Sequence, residues 1–301
     1  MFEVKNSMLQ QPKFQDLLTQ LSTNTALRKQ YREYPEEVCK AFGLSDAETT
    51  QFQQLKDSVY NKFALNLIHN RLKHAKHYIP GVCQLLGSDL IDKFTMYCQR
   101  FPTAIDMEGP HEAIQFLQFL TYYSDYPIPG YPYSNEVIEY EQTRLELLIE
   151  TPMNAHSLES NDVLEKLQVA NWKEYMPKIL PQIFVKEYNY PIDEIIEKLL
   201  NGEKVNPEPG AYWVLFVRLQ TRNQVIVKRI KKSTKLLITQ CDGETAINDI
   251  IENVRTEIKL KMHEHVQFEK ECRYFLKKLA REGFLALTGR KEPATFEPMR
   301  T

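Results

Sequence analysis

Tyr212-Trp-Val-Leu-Phe-Val-Arg-Leu219 and Val225-Ile-Val-Lys-Arg-Ile230 are two short runs rich in β-branched and aromatic residues, and Pro207-Glu-Pro-Gly210 turns the chain into the first of them. Such a pair reads as a β-hairpin. Behind it the pattern becomes helical. Lys235-Leu-Leu-Ile-Thr-Gln-Cys-Asp-Gly243 predicts a helix stopped by Gly243, and Thr245 caps the next one through Ile247, Ile250, Ile251 and Val254. A final helix holds Phe268, Cys272, Phe275, Leu276 and Leu279 inward, and Gly283 lets the chain turn into Phe284-Leu-Ala-Leu287. A hairpin in front of a short helical bundle is a peptide-docking or winged-helix arrangement, so this part of the chain is expected to hold another molecule.

Working upstream, Ile192 to Leu200 predicts a helix ended by Asn201-Gly202, preceded by a brief apolar segment, Ile179-Leu-Pro-Gln-Ile-Phe-Val185. Residues 151 to 162 are short, polar and irregular, as a domain boundary should be. Before it the chain is helical throughout. Phe14, Leu17, Leu18 and Leu21 take the spacing of one helix face, Pro35 can open a helix and Gly43 can close it. A long helix through Tyr60 to Leu72 presents Phe63, Leu67 and Asn70 and packs on one from Gly87 to Arg100. The run Tyr122-Tyr-Ser-Asp-Tyr-Pro-Ile-Pro-Gly-Tyr-Pro-Tyr133 cannot continue a helix, and Ser134 then caps the last one. The expected class is α+β: a mostly helical N-terminal half and a C-terminal winged-helix-like domain with a β-hairpin or small antiparallel sheet and three helices. Three parts follow: a small helical extension over 1–57, a helical domain over 58–155 and a recognition domain over 156–301.

Composition bounds the function. The chain has 301 residues, 43% of them apolar, and a formal net charge of -2. Neither global disorder nor a polyanion-coating protein fits those values. No apolar run approaches the ~18 residues of a membrane helix, and the start lacks the apolar core of a signal peptide, so a cytoplasmic protein is expected. Five cysteines, Cys39, Cys83, Cys98, Cys241 and Cys272, are scattered and never spaced as CxxC. Buried free thiols are the expectation.

No Ser nucleophile elbow, phosphate-binding Gly loop or HExxH motif is present. His69, His74 and His77 come nearest to a metal cluster, but His69 lies about 140° from His74 around a helix. Exposed histidines among Lys73, Lys76 and Arg71 are the plainer reading. Charge is more informative. Residues 211 to 240 carry seven Lys or Arg and no acid, and residues 201 to 301 hold 19 basic against 13 acidic residues, +6, leaving -8 for the rest. A basic hairpin suits an acidic peptide at a strand edge, nucleic-acid phosphates, or simply a solvated face that avoids aggregation.

Two stretches carry a resemblance. Arg71-Leu72 through Tyr78-Ile-Pro-Gly-Val-Cys-Gln-Leu-Leu-Gly87, with Phe94, Tyr97, Pro102, Ala113 to Leu120 and Tyr131-Pro-Tyr-Ser-Asn-Glu-Val-Ile-Glu-Tyr-Glu141, resembles the helical half of the partner proteins (MbnC/TglI-like) encoded beside multinuclear non-heme iron oxidases in ribosomal peptide natural-product biosynthesis. Leu236-Leu-Ile-Thr-Gln-Cys-Asp-Gly-Glu-Thr-Ala-Ile-Asn-Asp-Ile251 with Phe275-Leu-Lys-Lys-Leu-Ala-Arg-Glu-Gly-Phe-Leu285 is similar to the PqqD-like element that binds leader peptides. Ala26 to Ser45 resembles a short helical element of Nif11-type leader peptides and of the small subunits of some ring-opening dioxygenases, and the first 57 residues lie outside the partner-protein pattern. The resemblance implies a non-catalytic subunit with no cofactor of its own. It would bind a precursor peptide and an iron-dependent oxidase that supplies the iron. On this reading a peptide adds a strand beside Tyr212 to Leu219, meeting Tyr212, Val214, Phe216 and Arg218, and packs on the helix bearing Phe275 and Leu279. Tyr126, Tyr131, Tyr133 and Glu141 face the oxidase. The alternative is a winged-helix DNA-binding transcriptional regulator. It suits the basic hairpin and explains the helical half less well.

Overall fold

The computed structural model describes residues 12–55, 57–101, 109–123, 128, 130–150, 175–219 and 224–289. The chain divides into two compact units, Met1–Leu145 with Ile196–Val205, and Glu146–Ile195 with Asn206–Thr301. Among the described residues no helix is long and apolar enough to cross a membrane.

The first unit is helical. Helix α1 (Pro12–Thr23) buries Phe14, Leu17, Leu18 and Leu21, the face its spacing predicts. Three short helices, α2 (Thr25–Glu33), α3 (Pro35–Ala41) and α4 (Asp46–Gln53), begin at recognisable signals. Asn24 accepts from the Leu27 N–H, Pro35 opens α3, and Ser45 with Glu48 forms a capping box. Phe52 fills the centre of this cluster, its ring 4.6 Å from Phe14 and 5.7 Å from Tyr31.

Helix α5 (Asp57–Lys76) contacts α1, α7 (Leu90–Arg100) and α8 (Gly109–Tyr123). Its inward stripe differs from the expected one. Ile68, Leu72 and Ala75 are buried, whereas Phe63 and Leu67 are half-buried and Asn70 is exposed. Phe94 and Tyr97 of α7 meet Phe116 of α8 with ring centroids 5.0 and 5.5 Å apart. Helices α6 (Pro80–Leu86) and α9 (Ser134–Ile149) complete the set among the described residues. Ser134 does not cap α9 as expected; its buried hydroxyl accepts from the Ile128 N–H at 3.1 Å and fixes the preceding turn.

In the second unit β2 (Ile183–Tyr188), β3 (Tyr212–Leu219) and β4 (Gln224–Ile230) form an antiparallel sheet in the order β2-β3-β4, with helix α10 (Ile192–Leu200) between β2 and β3 in the chain. The predicted hairpin is β3 with β4, and α10 begins and ends where predicted. Three helices follow, α11 (Lys232–Thr239), α12 (Ile247–Glu257) and α13 (His265–Arg281), so the fold is α+β and mostly helical. A second antiparallel pair joins β1 (Tyr175–Ile179) to β5 (Leu285–Gly289). The sequence reading had no strand at either place, because each acquires its pairing partner more than a hundred residues away.

Helix α11 stops earlier than expected, at Thr239, and Gly243 serves a turn instead. Its φ is +90°, its N–H donates to the Pro177 carbonyl at 2.9 Å, and a Cβ there would lie 3.2 Å from the Cβ of Lys178. Nor does Thr245 cap α12. Asp242 accepts from the N–H groups of Glu244 and Thr245, at 2.7 and 3.0 Å, and the residue before the helix is Ala246. Leu236, Leu237, Ile250, Val254, Cys272, Leu276 and Leu279 form one core with Ile183 and Leu215 of the sheet. Leu276 is fully enclosed in it. Leu276→Ala should therefore lower the stability of this unit by about 2–5 kcal/mol in urea melts, and a change under ~1 kcal/mol would show that the core is not packed as described.

Candidate functional site

The register of the three-stranded sheet decides where a peptide strand could add. Tyr212–Leu219 pairs along its length with β2 on one edge and with β4 on the other. Strand addition beside it, as the sequence suggested, is therefore closed, and within this sheet the outer edges belong to β2 and β4.

Pairing also sorts the side chains onto two faces. Leu215, Val217 and Leu219 share a face with Ile183, Val185, Ile226, Lys228 and Ile230, and this face meets the helical core. Tyr212, Val214, Phe216 and Arg218 share the other with Phe184, Val225, Val227 and Arg229. Phe275 and Leu279 belong to the helical core. The six residues expected to line one peptide site thus fall on opposite sides of the sheet. Val214, Phe216 and Arg218 are buried, Leu279 is a core residue, and Tyr212 and Phe275 are half-buried. Tyr212 donates to the Glu208 carbonyl at 3.3 Å and lies under the Arg229 guanidinium at 5.5 Å.

Along β4, exposed Gln224, Ile226 and Lys228 alternate with half-buried Val225, Val227 and Arg229. Ile226 is 43% exposed on an edge strand, on the face turned toward the helices. The reading of the sequence passed over it, although an isoleucine alternating with Gln224 and Lys228 was the available signal. Of the seven basic residues, Arg222 lies outside the described residues. Arg229 is held by Asp193 at 2.6 Å and Glu194 at 2.7 Å, both in the first turn of α10, and Lys232 is 3.8 Å from Glu257. Lys228 and Lys231 are exposed at the β4 edge and its end. An extended chain laid on this edge would find main-chain partners, Ile226 and two exposed ammonium groups together.

In the helical unit, Glu141 is not a surface group. It is 1% exposed, and its two carboxylate oxygens accept from the Gly81 N–H at 2.7 Å and the Val82 N–H at 3.0 Å, at the first turn of α6. Burial pushes its carboxyl up to about 7, opposed by the two N–H bonds and by Arg144. A Cβ on Gly81 would lie 3.0 Å from this carboxylate and 3.3 Å from Ile196, so the close approach requires glycine. Tyr133 is 2% exposed and packs edge-on against Tyr131, which is 38% exposed. Tyr126 lies outside the described residues. Only Tyr131 of the four expected interface residues offers a described exposed surface.

Arg71 and Glu112 form a second buried polar contact, 2.6 Å from Nε to Oε1, with the guanidinium 5.7 Å from the Tyr97 ring. It ties α5 to α8. Among the described residues no three His, Cys, Asp or Glu side chains are grouped to hold a metal ion; His69 Nδ1 instead lies 2.7 Å from the Leu65 carbonyl, within its own helix. All five cysteines are free and buried, as expected. Burial raises the thiol of Cys39 and pushes those of Cys83, Cys98, Cys241 and Cys272 up to about 12, so none is poised as a thiolate nucleophile at neutral pH.

Two measurements check this placement. The folded Glu141 carboxyl sits above its ordinary value of 4.5, so between about pH 4.5 and about pH 7 the folded state keeps a proton that the unfolded state has lost. Stability from this group is therefore present at low pH and falls as pH rises through that window. Glu141→Gln should gain on the wild type in denaturant melts from about pH 5 to about pH 8, and a constant difference would refute the shift. Tyr133→Ala should cost about 3–5 kcal/mol as a buried aromatic truncation, whereas Tyr131→Ala should cost well under half as much.

Comparison with models of known protein families finds no match for this chain, and comparison with curated proteins finds none either.

Proposed function

We propose that this chain is a non-catalytic partner subunit that holds a precursor peptide on the β4 edge and presents it to an iron-dependent peptide-modifying oxidase. The observation that carries the reading is the second unit's order of elements: a three-stranded antiparallel sheet, three helices behind it, and an outer strand whose edge carries Ile226, Lys228 and Lys231. Strand addition there would supply affinity through main-chain hydrogen bonds and selectivity through alternate side chains, with the lysines favouring an acidic segment. The resemblance of the helical half to oxidase partner proteins supplies the rest of the proposal. The iron belongs to the oxidase, the modified residue belongs to the peptide, and this chain raises the concentration of one at the other, into the millimolar range for a short linker. A cytoplasmic setting suits five unpaired thiols.

The DNA-binding reading uses the same sheet and helices. It is less well supported by α13, where Arg273 is engaged by Glu269 at 2.6 Å and by Asn248 at 2.9 Å. A base-reading helix needs such a cation free for a base edge.

The deciding experiment is a titration of a labelled precursor peptide with an acidic segment, and of a random duplex, from low to physiological salt. Peptide binding should survive the change. Ile226→Asp should weaken it at least about tenfold, the scale of a lost central contact, and Lys231→Ala with Lys232→Ala only several-fold. Tight duplex binding without a peptide signal, falling with log salt at about -0.9 per phosphate contact, would transfer the chain to the regulator class.

A further inference from the structure

Arg218 is a buried cation without a counter-charge among the described residues. It is 6% exposed, and neither its Nε nor its Nη1 has a hydrogen-bond partner. The backbone around it is satisfied, with the Arg218 N–H donating to the Gln182 carbonyl at 2.9 Å. The want lies in the side chain alone.

The strands supply no acid on its side of the sheet. Glu187 is the single acidic residue in β2, β3 and β4; it sits opposite Trp213, on the face turned toward the helices, and accepts from the indole N–H at 2.9 Å. On the Arg218 face the neighbours by register are Phe216, Phe184, Val225 and Val227. Arg229 shares this face, but it stands opposite Val214, four residues along the strand from Arg218, or ~13 Å. The carboxylates of Asp193 and Glu194 bound to it are thus too far away to serve Arg218. Gln182, in the turn just before β2, whose carbonyl takes the Arg218 N–H, has a buried Oε1 that is also without a partner. A neutral amide oxygen turned onto the guanidinium would satisfy a donor and still leave the charge uncompensated.

We propose that Arg218 and Gln182 form a carboxylate-binding subsite, completed by one monoanionic group from outside the chain. One guanidinium matches one negative charge, which favours a carboxylate over a phosphate dianion, and the apolar neighbours leave little else to solvate an ion; Lys186, on the same face, holds its ammonium 6.0 Å from the Phe184 ring. The carboxylate can belong to a free small acid or to an acidic side chain of a bound peptide. The inference does not depend on strand addition at β4.

The signs of the effects make it testable. An unpaired buried cation lowers the stability of the free protein, so an apolar replacement of similar volume should raise it, whereas breaking an ion pair within the chain would lower it. Melting temperatures of the whole chain are measured in sodium acetate, in N-acetylglutamate amide and in sodium phosphate, each against sodium chloride of equal ionic strength. In chloride, Arg218→Met should melt a few degrees above the wild type. Acetate should raise the melting temperature of the wild type and leave Arg218→Met unmoved, and phosphate should act less than acetate. A larger rise with N-acetylglutamate amide than with acetate assigns the subsite to a peptide side chain, and an equal or smaller rise assigns it to a free acid. Gln182→Glu places a carboxylate beside the arginine, so this variant should melt above the wild type and lose the acetate response, a result that stands even if Arg218→Met fails to fold. The proposal is overturned if acetate does not shift the wild type, if it shifts Arg218→Met or Gln182→Glu equally, or if Arg218→Met folds but melts below the wild type in chloride.

Discussion

A strand hydrogen-bonded on both edges has no backbone group left to offer a partner, and Tyr212–Leu219 lies in that position between β2 and β4. Its side chains alternate between two faces, and residues on both are buried: Leu215 toward the helical core, Val214 and Phe216 on the opposite side. Everything else in the second unit is arranged around this. Within this sheet only the outer strands can recruit another chain, and every polar group that β3 carries must be satisfied on the spot or remain a cost. The unpaired Arg218 follows from the same placement, because an arginine on an outer strand or a half-buried face would reach water.

The helical unit depends on a different kind of contact. The four leading N–H groups of a buried helix have no intrahelical partner, and in α6 two of them end on the carboxylate of Glu141, a residue sixty positions away in the chain. Gly81 is what allows the carboxylate to come so close. A buried acid beside an aromatic turn can be mistaken for a recognition residue when it is read from the sequence, since the same chemistry that grips a partner also grips a helix end.

That distinction marks how much was legible. Local signals located the helices well: the apolar face of α1, Pro35 at the start of α3, the hairpin of β3 and β4, and both ends of α10. These rest on periodicity and on turn residues close in sequence. The local misses were small, the caps expected at Ser134 and Thr245, the end of α11 and the inward stripe of α5; the larger failures depend on remote pairing. Strands β1 and β5 form only because Tyr175 to Ile179 meets Leu285 to Gly289 across the unit. The centrality of Tyr212–Leu219 requires knowing that β2 exists, and Ile179 to Val185 looked like a mere apolar segment because Pro181 lies in it, at what proves to be the turn between β1 and β2. The peptide site suffered from the same omission: without β2 the hairpin offers two free edges, and choosing Tyr212 to Leu219 was choosing the edge that β2 occupies.

The exposed lysines of β4 have two explanations that differ in energy rather than in geometry. Charged residues on a free edge discourage self-association, and they need no partner for that. Arg229 is already neutralised by α10, so among the described residues a purely protective edge would rest on Lys228 and Lys231, with 43%-exposed Ile226 between them and the strand's start working against protection. A large apolar side chain at an open edge favours association with something. Like charges on the edge disfavour a second copy of the same strand, while an acidic segment would gain from both the isoleucine and the lysines. The combination of an attractive apolar group with a charge that repels its own kind is how an edge selects a different partner instead of closing itself to all.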